Sequence, residues 1–240
     1  MTTLIQESDS LKLVEKLIRR IVHDLSNPLS AVVGFAELLS YPTVSEEKRK
    51  RYIHLILEQA TRARQIIDTM SQFGDLPDPQ VSDVELSSAV RTAVSLRQSM
   101  QRSANIEVTL DLEDDSDRLV RADRTYIGRI LMNLLLNAEQ AFKEQASLEK
   151  HLLVRSRFAD GFARIVVADN GIGVLEGIRS RIFDPFYSGR KSGGLGLGLH
   201  VSRSVAQRMG GDLVLLDEPE DPAWPGAWFL LTLPASLQSK

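Results

Sequence analysis

From residue 11 to 39 the apolar positions Leu11, Val14, Ile18, Ile21, Leu25, Val32, Phe35 and Leu39 recur at alternating steps of three and four, with Pro28 out of type. This spacing predicts a helix carrying a heptad seam about four repeats long. TVSEE at 43–47 has the form of a capping box, Thr43 with Glu46, and opens a second helix with apolar positions Tyr52, Ile56, Ala60, Ala63, Ile67 and Met70. Joined by a short turn, the two form an antiparallel hairpin. Two helices alone leave one side of their stripes uncovered, and pairing with a second copy covers it. The expectation is a dimeric antiparallel four-helix bundle, two helices per chain, and therefore a homodimer.

FGDLPDPQVSD at 73–83 ends this pattern with a Gly/Pro/Asp cluster. The boundaries expected are 1–74 for the helical domain, 75–82 for a linker and 83–240 for a second domain. Beyond it the periods alternate between helix and strand. A helix is expected over about 86–101, a strand at IEVTLDL, a short strand around LVRAD and a helix over about 124–144. Strands HLLVRSRF and ARIVVAD follow, then a glycine-rich stretch, a helix over 197–209 and final strands DLVLLD and AWFLLTL. Helices and strands mixed with hairpin-like neighbours indicate an α/β sandwich with a mixed sheet, so the whole chain is α+β.

Composition narrows the classes of function. The chain has 240 residues, 43% of them hydrophobic, enough for a real core. Its formal charge is −3, from 29 basic and 32 acidic residues, with no long run of one sign, so nucleic acid is not the expected partner. No apolar run approaches the roughly 18 residues of a membrane span, and the N-terminus lacks a signal-peptide plan, so no membrane insertion and a cytoplasmic location are expected. With no cysteine, any nucleophile is a hydroxyl, an imidazole, an amine or a carboxylate.

Of the four histidines, His23 has the most informative surroundings. With Leu11 at heptad position a, His23 falls at f and points away from the seam, with Asn27 and Ser30 on the same outer face. An exposed histidine is ordinarily a solvated residue. Here, however, Pro28 has no N–H for the carbonyl of Asp24, at a cost of about 3 kcal/mol inside a helix, and the helix is expected to bend within a turn of His23. Asp24 can hold one ring N–H so that the other nitrogen attacks, which makes His23 a candidate phosphoryl acceptor.

Four clusters in the second segment converge on phosphate chemistry. In NLLLNAEQAF, Asn133 and Asn137 share one helix face opposite Leu134, Leu135, Ala138 and Ala141, and an Asn oxygen beside phosphates suits Mg2+, although two polar residues four apart are also common on a solvated face. ARIVVADNGIGV ends a strand in Asp169, whose carboxylate can accept from an amine such as that of adenine. Gly171 and Gly173 allow close backbone approach, though D-x-G-x-G alone could be any tight turn. In RIFDPFYSGRKSGG and GGLGLGLHVSRSVAQRMGG, Gly193, Gly194, Gly196 and Gly198 run into a helix whose free N–H groups offer an anion site, with Arg190 and Lys191 nearby. The spacing is neither a P-loop nor a Rossmann fingerprint. Residues 174–193 read as a loop able to act as a lid over the phosphates.

In order and wording these clusters resemble the sensor histidine kinases of two-component signalling over about residues 10–235. HDLSNP resembles the phosphoacceptor box, NLLLNAEQAF the N box, DNGIG the first G box, IFDPF (with Phe183) the F box and GGLGLGL the second G box. The resemblance implies a histidine phosphotransfer hairpin joined to a GHKL-type ATP-binding domain. It further implies His23 as the phosphorylated residue, Asp24 as its neighbouring acid/base and Asn27 as the residue that orients water where a partner is also dephosphorylated. It places Asn137 on Mg2+, Asp169 on adenine, and Gly194, Gly196 and Gly198 at the phosphate end of ATP. Asn133 stands where related ATPases place a water-activating glutamate, which suits passing phosphate to histidine. The implied partner is a response regulator receiver domain. The stimulus is expected either from a separate sensory protein or from parts of a longer chain. Two rivals remain: a phosphotransfer or scaffold protein with an inactive ATP domain, and a serine kinase or ATPase switch of the same nucleotide fold.

Overall fold

The structure, a computed structural model, describes residues 2–74, 77–114, 118–143, 149–189, 196–217, 221 and 224–237. The chain divides into two compact units, Met1–Leu76 with Asp184–Leu197, and Pro77–Phe183 with Gly198–Lys240.

The first unit is built on two long helices, α1 (Thr2–Leu39) and α2 (Glu46–Gly74), packed on one another. The α2 cap differs from the expected Thr43–Glu46 box. Ser45 lies immediately before the helix, its Oγ accepts from the Lys48 N–H at 3.4 Å and its carbonyl accepts from Arg49 N at 2.9 Å, so Ser45 is the N-cap. Thr43 lies in the preceding turn, two residues too early to reach the first free N–H groups. Between the helices the Phe35 and Tyr52 rings stack at 5.8 Å, and Ala63 and Ile66 are buried.

The apolar residues divide between two faces rather than lying on one seam. Ile21, Leu25, Val32, Phe35 and Leu39 are half-buried and Pro28 is buried. Ile18, Val22, Leu29 and Val33, at steps of four, seven and four, are exposed on α1, and Ile53, Leu57, Ala60 and Ile67 are exposed on α2. Ile18, Ala60 and Ile67, expected in the seam, therefore belong to the second stripe. Each helix carries two apolar stripes, one used within the hairpin.

The second unit opens with the three-residue strand β1 (Ser82–Val84), too short to register as a period-two pattern. The helix expected over 86–101 is two helices, α3 (Leu86–Ser95) and α4 (Gln98–Ser103). The break frees Arg97 to bond Glu139 on the following long helix, where Gln101 also donates at 3.0 Å. Then come β2 (Ile106–Leu112), β3 (Arg118–Ala122), α5 (Arg124–Lys143), β4 (Lys150–Ala159), β5 (Phe162–Asp169), a 3-10 turn at Glu176–Arg181, α6 (Gly198–Arg208), β6 (Asp212–Leu215) and β7 (Trp228–Leu237). The 3-10 turn occupies part of the stretch expected to be loop.

The strands form one mixed sheet in the order β1-β3-β7-β5-β4-β2, with β6 also on β7; β2 and β4 are parallel and the other pairs antiparallel. Strand register assigns Leu152, Val154, Ile165, Val167, Asp169, Phe229 and Leu231 to one face. α5 and α6 pack on the sheet, and α3 packs on α5. Their apolar sides, including Ile127, Ile130, Leu134, Leu135, Val201 and Val205, are buried. On the opposite face Leu153, Val166, Ala168 and Trp228 form a second cluster capped by Trp224 and Leu216. With both faces covered, β5 can be apolar almost throughout.

Candidate functional site

His23 stands on α1 with its side chain 71% exposed. Its Nδ1 lies 3.0 Å from Asp24 Oδ1. A carboxylate can only accept, so Nδ1 donates, and in the neutral ring the lone pair is then on Nε2. Asn27 and Ser30 are exposed on the same helix, as the heptad argument expected. α1 continues through Pro28 as an unbroken helix, so the missing N–H toward Asp24 is absorbed without ending it.

In the second unit Asp169, the last residue of β5, is only 4% exposed. Its Oδ1 accepts from Gly171 N at 2.8 Å and Ala227 N at 3.3 Å, and its main chain exchanges hydrogen bonds with Gly226 and Ala227. These contacts fix the carboxylate in one orientation. Two glycines make the arrangement possible. A Cβ on Gly171 would come within 2.8 Å of Asp169 Oδ1 and 2.9 Å of the Ala141 methyl, and one on Gly226 would fall inside the surface of Asp169 Oδ1 and of its carbonyl oxygen. Gly173 has φ +69°, a conformation that glycine adopts freely.

Asn133 and Asn137 are half-buried on α5. Asn133 Nδ2 donates to Ser202 Oγ at 3.1 Å, and Gly198 presses so closely on the Asn133 amide that a Cβ there would overlap it. Asn133 thereby docks the start of α6 against α5. Phe183 is half-buried, its ring edge-on to Phe229 at 6.5 Å. Gly196 has φ +69°, and a Cβ there would collide with the main chain of Phe186 and Tyr187. Arg190, Lys191 and Gly194, named from the sequence, lie outside the described residues.

Gly226 and Ser202 are parts of the site that sequence reasoning missed. Ser202 had a local signal, four residues after Gly198 on the same helix face. Gly226 had none, since its neighbour Asp169 is brought to it only by the pairing of β5 with β7. An acidic group fixed at a strand end, glycines that admit close approach and the glycine-led start of a helix are what an adenine nucleotide needs. The residues present fit ATP.

Comparison with known proteins agrees. Residues 13–79 match the His Kinase A (phospho-acceptor) domain, and residues 122–237 match the histidine kinase-, DNA gyrase B- and HSP90-like ATPase domain. Over 97% of its length the chain is 26% identical to the signal transduction histidine-protein kinase AtoS of Escherichia coli (strain K12), covering 36% of that protein. It is 30% identical, over 88% of its length, to the sensory histidine kinase/phosphatase NtrB of Escherichia coli O157:H7, covering 59% of it. The chain thus spans between about a third and three fifths of these relatives. Its fold also matches histidine kinase ThkA in complex with the response regulator TrrA, with TM-score 0.73 and 22% identity over 97% of this chain and 65% of that one. A phosphoacceptor hairpin followed by a GHKL-type ATPase domain, each matched in order and together over most of its length, makes this chain a member of the two-component sensor histidine kinases.

Proposed function

We propose that the protein phosphorylates itself on His23 with ATP and passes the phosphoryl group to an aspartate of a response regulator receiver domain. The observation that carries this reading is the His23–Asp24 pair, an exposed imidazole whose Nδ1–H is held by a carboxylate. Nε2 attacks the γ-phosphorus, the N–P bond forms as the bond to the bridging oxygen breaks, and ADP leaves. The Nδ1 proton stays against Asp24, which stabilises the positive charge developing on the ring. Attack by the receiver aspartate then breaks the N–P bond and returns the electron pair to Nε2.

Within the ATPase domain, Asp169 is oriented for the adenine amine, and Gly171, Gly173 and Gly226 admit the base. The start of α6 at Gly198, with Gly196 before it, faces the phosphates. Phe183 flanks the segment that we read as a lid and to which Arg190, Lys191 and Gly194 belong. Asn137 supplies an oxygen for Mg2+, a cation that offsets the phosphate charge when bound. Asn133 contributes by holding α6 rather than by activating water. Asn27, one turn from His23, is placed to orient a water for dephosphorylating the regulator.

The second apolar stripe of the hairpin supports a homodimer closed as a four-helix bundle. That ThkA is found with a response regulator is in keeping with the partner proposed. None of the described helices is long and apolar enough to cross a membrane. A reaction that draws on ATP and a receiver domain fits the cytoplasm, the location proposed for it. Incubation with γ-labelled ATP tests the reading: label stable to base and lost in acid marks phosphohistidine, whereas acid-stable label would favour the serine-kinase rival. An ATP domain that binds no nucleotide would favour the scaffold.

A further inference from the structure

Two stretches of chain meet at Asp169: the turn that follows it, through Gly171 and Gly173 to Leu175, and the residues that lead into β7. Gly171 N and Ala227 N both donate to Asp169 Oδ1, and Gly226 N donates to its carbonyl. A Cβ on Gly173 would stand 3.5 Å from the main chain of Gly226, so turn and strand are in contact. Trp228, next after Ala227, accepts from Leu216 N at 2.8 Å, which joins Leu216 and Asp217 to the same strand. Ile172 and Leu175 are exposed, so little apolar packing holds the turn.

Arg179 supplies what packing does not. From the 3-10 turn its Nε donates to Val174 O at 3.4 Å and its Nη1 to Asp217 O at 2.6 Å. The planar guanidinium holds donors in two fixed directions, which the single ammonium of lysine does not. The Asp217 carboxylate lies 3.6 Å away but is 98% exposed, so the ion pair adds little to the two bonds on main-chain carbonyls. The contacts close a circuit. It runs from Asp169 along the turn to Val174, across Arg179 to Asp217, and by Leu216, Trp228 and Ala227 back to Asp169.

We infer that Arg179 is a positioning residue for the adenine base: by bonding both carbonyls it straps the turn after Asp169 to the paired strands β6 and β7. This rests on the ATP-binding reading above. A pocket already formed has less freedom to lose when the base enters, so the gain falls on affinity. Nε and Nη1 are spent on these carbonyls, and the turn they hold adjoins Asp169, so Arg179 serves the base and not the phosphates. Contacts to the base are alike before and during phosphoryl transfer, so the rate at saturating ATP should not depend on Arg179.

The test displaces a ribose-labelled fluorescent ATP analogue from the intact chain with ATP and, separately, with ADP, and measures autophosphorylation at saturating ATP. It uses the parent protein, Arg179→Ala, Arg179→Lys and Asp217→Asn, each checked for folding by thermal melting. Hydrogen–deuterium exchange over residues 171–177 is read alongside. Arg179→Ala should weaken ATP and ADP by the same factor, about five- to tenfold, leave the saturated rate within about twofold and speed exchange at 171–177. Arg179→Lys, which keeps the charge but reaches only one carbonyl, should fall between. Asp217→Asn keeps the main-chain carbonyl and should stay within about twofold of the parent protein. Unchanged affinity and exchange in folded Arg179→Ala and Arg179→Lys would overturn the inference. So would a much larger loss for ATP than for ADP, the mark of a cation acting on phosphates, or a loss in Asp217→Asn equal to that in Arg179→Ala. Failure of the parent protein to bind the analogue would instead overturn the ATP reading itself.

Discussion

At the scale of single residues, the Asp169 end of the site is built from atoms that cannot be moved. Gly226 abuts the Asp169 carboxylate, so Gly226→Ala should force Asp169 out of place and weaken nucleotide binding about tenfold or more, at an overpacking cost of the ordinary size. Unchanged binding by titration would show that Asp169 is not the anchor. His23 and Asp24 were legible from the sequence because everything that defines them is local: a heptad fixes the exposed face and the partner is the next residue. Asp169 was legible for a similar reason, as the end of an apolar strand before a glycine turn. Gly226 was not, because its neighbour lies 57 positions away in the chain and meets it only through strand pairing. Asn133 shows the same limit from the other side. Its place on α5 was readable, but its bond to Ser202 depends on how α6 docks.

At the scale of elements, periodicity located most helices and strands, and errors arose where a non-local contact decided the outcome. The break between α3 and α4 answers to Glu139 on α5, and β1 is too short to carry a pattern. Pro28 is read by a local rule alone: it lies inside α1, which runs on past it as one helix. Pro28→Ala restores an N–H toward the Asp24 carbonyl and should raise the melting temperature of the protein, up to about 3 kcal/mol being at stake. If α1 also flexes there during signalling, the same variant should alter the rates of autophosphorylation, transfer or regulator dephosphorylation. A melting temperature that fell would contradict the first point, and unchanged rates the second. The β2–β4 pair offers a pH test. Arg157 and Arg155 hydrogen-bond the Asp111 carboxyl, Arg157 exerting the largest effect, and hold it below its ordinary value. A carboxylate depressed in the folded state stabilises fully above its unfolded value and loses that contribution as pH falls through the folded one. Asp111→Asn should therefore lower stability at neutral pH modestly, since the groups are partly exposed, and by less as pH drops below about 4, measured by denaturation at each pH.

At the scale of the whole molecule, the hairpin exposes Ile18, Val22, Leu29 and Val33 with Ile53, Leu57 and Ile67. Each such side chain is worth about 1.5–3 kcal/mol when buried, too much to leave in water without a partner. Leu57→Asp should convert a dimer to monomer in size-exclusion chromatography with light scattering; a parent protein that is already monomeric would refute the bundle. The two stripes were indistinguishable in the sequence, since one helix repeat serves both and only the packing of α1 on α2 separates them. The central claim, that ATP phosphorylates His23, is tested most directly by incubating the parent protein and His23→Ala with Mg2+ and γ-labelled ATP. Autophosphorylation on His23 should give base-stable, acid-labile label on the parent protein and none on the variant. Equal label on both, or label that survives acid, would contradict it.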